Sequence, residues 1–204
     1  MRIVDWFDTS EMKALLAIED PYSYRDRLTM PKLILSASGD QFFLPDSWQF
    51  YYGALKGEKQ LRYVPNADHS LKSTDGQQTL AAFYDSVVHD RPRPRFEWGI
   101  EKDGTIRVKT IDTPSEVRLW QATNPNARDF RLEEIGPAYQ SSVLAEQGGG
   151  VYVAKIPKPG KGFTAAFVEL TYPAGGKYPL KLTTGVKVIP DVYPFPAYQP
   201  APVR

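Results

Sequence analysis

Two side chains in this sequence have the types and the spacing for proton-transfer chemistry. Asp40 closes the run Ser36-Ala37-Ser38-Gly39-Asp40, and His69 closes Pro65-Asn66-Ala67-Asp68-His69, 29 residues later. Each follows directly on a short apolar segment that reads as a buried strand. An acid and a histidine at the carboxyl ends of adjacent parallel strands lie where open sheets of this kind place their ligands. In acyl transfer the acid orients the imidazole and stabilises its charged form, while the histidine takes and returns the nucleophile's proton. Asp40 and His69 are therefore the candidate catalytic residues.

A nucleophile is not visible. There is no Gly-x-Ser-x-Gly, and with no cysteine in the chain a thiol nucleophile, a disulfide or a Cys-zinc site is excluded. Ser38 lies at the end of the acid's own strand, not on a strand-to-helix elbow, and is rejected. The backbone donors of an oxyanion hole also lack an obvious source. Acid and base alone supply little catalysis, so the chain by itself is expected to be inactive. Pro45-Asp46-Ser47 reads as a helix start, which makes Asp46 an N-cap and a rival to Asp40. Asp68 reads as a turn cap, and His89 as a helix C-terminal residue favoured by the dipole. Two distant histidines form no metal-ligand cluster, and no cofactor is expected. Gly148-Gly149-Gly150 lacks the strand and helix context of a phosphate loop and reads as a turn.

The elements that must position Asp40 and His69 are α/β in pattern. Thr9 and its neighbours offer N-cap oxygens for a helix over residues 11–18, with Met12, Leu15 and Leu16 on one face. Lys32 to Ser38 and Gln60 to Val64 read as parallel strands. Asp46 to Leu55 reads as a helix with Trp48, Tyr51, Tyr52 and Leu55 on its apolar face. Thr74 to His89 reads as another, with Leu80, Phe83, Tyr84, Val87 and Val88 inward. Asp90-Arg91-Pro92-Arg93-Pro94-Arg95 then stops helix formation, because each proline disfavours helix at the residue before it.

Beyond it the text is strands and turns. Lys102-Asp103-Gly104 between alternating segments signals a hairpin. Further strands are expected at 116–122, 151–156, 163–172 and 178–188. The expected organisation is an α/β part over 1–91, a linker at 92–95, an all-β sandwich of immunoglobulin or fibronectin type over 96–192, and an extended tail over 193–204. Trp120, Tyr139, Tyr152, Phe163, Phe167 and Tyr172 offer rings for a sugar platform, although large rings more often fill a sandwich core.

Composition narrows the partners. With 25 Lys and Arg against 24 Asp and Glu, the net charge is +1. The basic residues form no stripe, so no nucleic acid is expected. No apolar run reaches the length of a membrane span, and Met1 to Met12 does not read as a signal peptide.

The segment over residues 20–71, with GDQFFLPDS and YVPNADHSL at its centre, resembles the PhoPQ-activated pathogenicity-related protein family, and the resemblance continues through EVRLWQATNPNARDFR. That family is similar to α/β-hydrolases, whose chain order is nucleophile, acid, histidine. The resemblance implies the C-terminal portion of such a protein, with Asp40 and His69 as acid and histidine and the nucleophile on a missing N-terminal segment. It also implies export to the periplasm or beyond, and a link with virulence. The expected partners are that missing segment or a second copy, and a small-molecule or peptide substrate. The alternative is a non-catalytic secreted or periplasmic binding protein that keeps the hydrolase shape. As the open edge of a larger sheet, residues 1–90 are expected to be marginal alone.

Overall fold

The computed structural model describes residues 3–199. The expected tail over 193–204 is described to residue 199, without helix or strand, and its last five residues lie outside the described ones.

The first helix, α1 (Ser10–Glu19), starts where Thr9 accepts the Met12 amide at 3.2 Å and ends at Asp20. The strands β1 (Lys32–Ala37) and β2 (Lys59–Val64) pair in parallel, in register from Lys32↔Lys59 to Ala37↔Val64. Helix α2 (Gly76–Val88) follows. Then come β3 (Phe96–Ile100), β4 (Ile106–Thr110) and β5 (Glu116–Asn124). A single turn of helix, α3 (Leu132–Ile135), and the strand β6 (Gln140–Val143) intervene before β7 (Val151–Ala154). The chain finishes with β8 (Phe163–Tyr172), β9 (Leu180–Thr183) and β10 (Lys187–Ile189).

The fold is mostly β. One mixed sheet runs β1-β2-β9-β8-β5-β6, with β10 also on β8, and an antiparallel sheet runs β3-β4-β7. Among the described residues only β1 and β2 pair in parallel; β2 meets β9 antiparallel at Leu61↔Thr183, so the main sheet spans the proline-rich segment. Ile106, Val108 and Ala154 of the smaller sheet share a buried cluster with Val117, Val168 and Leu182 of the larger. Tyr139, Tyr152, Phe167 and Tyr172 are buried, so these rings fill the interior and form no exposed platform.

Three local expectations change. The segment around Asp46 to Leu55 is two 3-10 turns, Ser47–Phe50 and Tyr52–Ala54, and not an α-helix. Its residues are held from outside. Trp48 donates to the Val186 carbonyl at 2.9 Å, stacks edge-on with Trp98 at 4.9 Å, and lies so close to Gly185 that a Cβ there would enter the indole at 2.1 Å. The same indole interrupts the expected strand over 178–188, which is β9 and β10. In α2, Phe83 is inward with Ala82, Thr79 and Ser86, but Leu80, Tyr84, Val87 and Val88 form a second stripe that is exposed. Periodicity detects an apolar stripe without saying which face the sheet will take.

A candidate acid–histidine site

Parallel registration brings the ends of β1 and β2 level, and the two loops that follow are tied together. The Ser38 amide donates to the Val64 carbonyl at 3.0 Å, the Gly39 amide to the Ala67 carbonyl at 3.0 Å, and the Asn66 amide to Ser38 Oγ at 3.0 Å. Ser38 is thus consumed structurally, and it is fully buried.

Asp40 and His69 meet at this edge. His69 Nδ1 lies 2.9 Å from Asp40 Oδ2. The other carboxylate oxygen, Oδ1, accepts the Phe42 amide at 2.7 Å and the Phe43 amide at 3.2 Å. An ionised carboxylate only accepts, so opposite an ionised Asp40 the bonded proton belongs on Nδ1, and in the neutral imidazole Nε2 then keeps its lone pair. Asp40 is buried while the His69 side chain is about half exposed, at 48%. The acid is shielded and the imidazole is partly open to solvent. Phe42 packs edge-on against the ring at 4.9 Å, Phe43 lies at 5.8 Å, and the His69 amide donates to Gln41 Oε1 at 3.1 Å. Residues 40–43 therefore hold the histidine by its ring nitrogen, its faces and its backbone. Phe42, Phe43 and the adjacent Leu44 are themselves exposed, giving the site an apolar rim.

Among the described residues, no serine or threonine hydroxyl is hydrogen-bonded to His69 Nε2. Ser70, the nearest in sequence, gives its hydroxyl to Asp68 at 2.6 Å. The pair can accept and return a proton, but the group that would supply one is not within these contacts. A groove of about 690 Å³ lined by Glu58, Gln60, Arg93, Arg95 and Tyr172 shares no residue with the pair, and its charges neutralise one another as Arg93–Glu58 and Arg95–Asp112.

The other acidic and histidine positions lie elsewhere. Asp46 makes no side-chain cap. It is buried against Arg128, accepts Gln49 Nε2 at 3.1 Å, and joins the 3-10 segment to the loop after β5. Asp68 caps its turn through the Ser70 amide at 2.9 Å. His89 caps the end of α2 and pairs with Asp85 at 3.0 Å. Sequence reasoning did not reach Gln41, Phe42 and Phe43 as supports of the histidine. The only signal was their adjacency to Asp40.

The sequence model of the family described as PhoPQ-activated pathogenicity-related protein matches residues 1–131. The chain is 36% identical over 221 aligned positions to Autocrine proliferation repressor protein A of Dictyostelium discoideum, an alignment covering 95% of this chain and 44% of that protein. The chain thus spans less than half the length of that relative. No solved structure was found to match it.

Proposed function

The chain belongs to the PhoPQ-activated pathogenicity-related protein family, and from that premise we propose that Asp40 and His69 are the acid and base of a Ser-type hydrolase whose nucleophile is supplied from outside this chain. The hydrogen bond between His69 Nδ1 and a buried, doubly amide-bonded Asp40 carries the reading. His69 Nε2 takes the proton from a hydroxyl as that oxygen attacks the carbonyl of a small ester or a peptide. Asp40 stabilises the resulting imidazolium, and the proton passes to the leaving group. In this reading β1 and β2, with α2, are the last part of an α/β-hydrolase-like parallel sheet, which the antiparallel strands after residues 92–95 continue through β9. The test is His69→Ala in a form of the protein that carries the nucleophile. Turnover of an activated ester should fall by about 10⁶-fold, and the 204-residue chain alone should show none. Nucleophile-dependent turnover by this chain alone, or an active His69→Ala variant, would sink the reading.

The occupant of the open surface is, in this reading, the nucleophile-bearing segment. Among the described residues strand β1 has a partner on one side only, and a free strand edge is a template for another strand. Leu80, Tyr84, Val87 and Val88 of α2 are exposed as a continuous stripe, as expected for a face meant to be covered. The chain alone should therefore bind an apolar-surface dye and sediment as a concentration-dependent oligomer. Replacing Leu80 and Val88 with Gln should reduce both signals. A compact monomer with no dye binding would argue against a covered face.

A second reading is a non-catalytic exported factor. The curated relative's name, a repressor of proliferation acting in an autocrine way, favours it, and among the described residues no helix is long and apolar enough to cross a membrane. In that case His69→Ala leaves the biological effect unchanged.

A further inference from the structure

We infer that Asn66, clamped to Tyr139, is a positioning residue that sets the Asp40–His69 geometry from the far side of the chain, an inference that rests on the acid–base reading above. The Asn66 amide makes two hydrogen bonds to a single residue of the β-rich part. Nδ2 donates to the Tyr139 carbonyl at 2.9 Å, and Oδ1 accepts the Tyr139 amide at 2.9 Å. A side chain that pairs with both backbone groups of one residue fixes distance and direction together. Asn66 has φ 55, a left-handed conformation that Asn adopts more readily than most residues. It is also three residues before His69.

The same segment grips the acid's loop. The Leu132 amide donates to the Gly39 carbonyl at 3.0 Å, while Gly39 itself donates to Ala67. A Cβ on Gly39 would lie 2.9 Å from the Leu132 nitrogen and 3.0 Å from the Ala67 oxygen, so only glycine allows the three loops to meet. The Tyr139 hydroxyl reaches the Ser38 carbonyl at 3.4 Å from a buried position. Residues 132–139 thus hold the chain one and two residues before Asp40 and three residues before His69. Neither Asn66 nor Tyr139 bonds the imidazole. Their effect is on placement, and a misplacement of about 1 Å in a proton-transfer pair costs on the order of 10²-fold in rate.

The test is the imidazole nitrogen spectrum of the 204-residue chain, with Asn66→Gly as the variant. Glycine keeps the left-handed backbone accessible while deleting both clamp bonds. The wild type should show His69 as a single tautomer with the proton on Nδ1 and a downfield, slowly exchanging Nδ1 proton. In Asn66→Gly that proton should be lost to exchange and the two ring nitrogens should average, while His89, bonded to Asp85, stays unchanged as an internal control. In a nucleophile-bearing form, kcat should fall about 10²-fold with little change in KM. Should Asn66→Gly fail to fold, Asn66→Asp keeps the acceptor half of the clamp and should show partial averaging. A wild-type His69 spectrum in the folded variant, whatever its loss of stability, overturns the inference and leaves the acid–base reading intact. A wild type without the Asp40-bonded Nδ1 proton removes both.

Discussion

Replacing Glu169 with Ala should lower the unfolding free energy by about 3 kcal/mol, the cost of stripping a buried cation of one partner. Arg62 on β2 is wholly buried, which is uncommon for a guanidinium. It pairs with Glu169 on β8, donates through Nη2 to Asp75 at 2.6 Å, and gives Nη1 to its neighbour Tyr63's carbonyl at 3.2 Å. Asp75, at the start of α2, also receives Lys181 of β9 at 2.7 Å. The network joins the first two strands and their helix to the antiparallel part of the sheet. Removing Glu169 leaves Arg62 facing an apolar interior with Asp75 as its remaining anion. A urea midpoint shift at constant slope reads this directly. A loss below about 1 kcal/mol would show that the pair is as weak as a surface one. The double replacement Arg62→Met with Glu169→Leu should recover part of the loss, because it removes the desolvated charges together.

The network also gives stability a pH dependence. Burial alone would raise the Asp75 carboxyl, but Arg62 and Lys181 outweigh it and hold its pKa below the ordinary value. The folded pKa is therefore lower than the unfolded one. The contribution is complete above the ordinary carboxylate range and is lost as pH falls through the folded pKa. Asp75→Asn should flatten this acid limb of the stability curve.

The second large effect is on chemistry. In a nucleophile-bearing form, Asp40→Asn should lower kcat by about 10⁴-fold, while the thermal midpoint moves little. The amide's oxygen can still accept the Phe42 and Phe43 amides, so the loop keeps its shape. Its NH₂ group, however, donates toward Nδ1. That favours the tautomer with the proton on Nε2, which has no lone pair there to take the nucleophile's proton. Full activity in Asp40→Asn would remove the acid from the proposed mechanism. A large loss of stability without a tautomer change would make Asp40 a structural loop residue.

Asp40, His69, the two strands before them and the Asp103-Gly104 hairpin were legible in the sequence. Each is signalled locally, by a short apolar run, a turn pair or a residue at a strand end. Helix α1 was legible for the same reason, its cap being three residues from the amide it binds. The 3-10 turns at Ser47–Phe50 and Tyr52–Ala54 were not, because Trp48 is held by Val186 and Asp46 by Arg128, each from far along the chain. Nor were β6 and α3, whose short segments carry little periodicity. The outward turn of Leu80, Tyr84, Val87 and Val88 was also decided by packing: one helix offers two apolar stripes, and the sheet covers one. By itself the sequence determined which residue types stand at the ends of β1 and β2, since that follows from local pattern. That Asp40 and His69 come within 2.9 Å of each other was decided only by tertiary structure. So was the clamp on their loops by Tyr139, 73 residues beyond Asn66. Hydrogen bonds between loops so far apart leave no periodic trace in the chain and form only when the strands that carry them are in register.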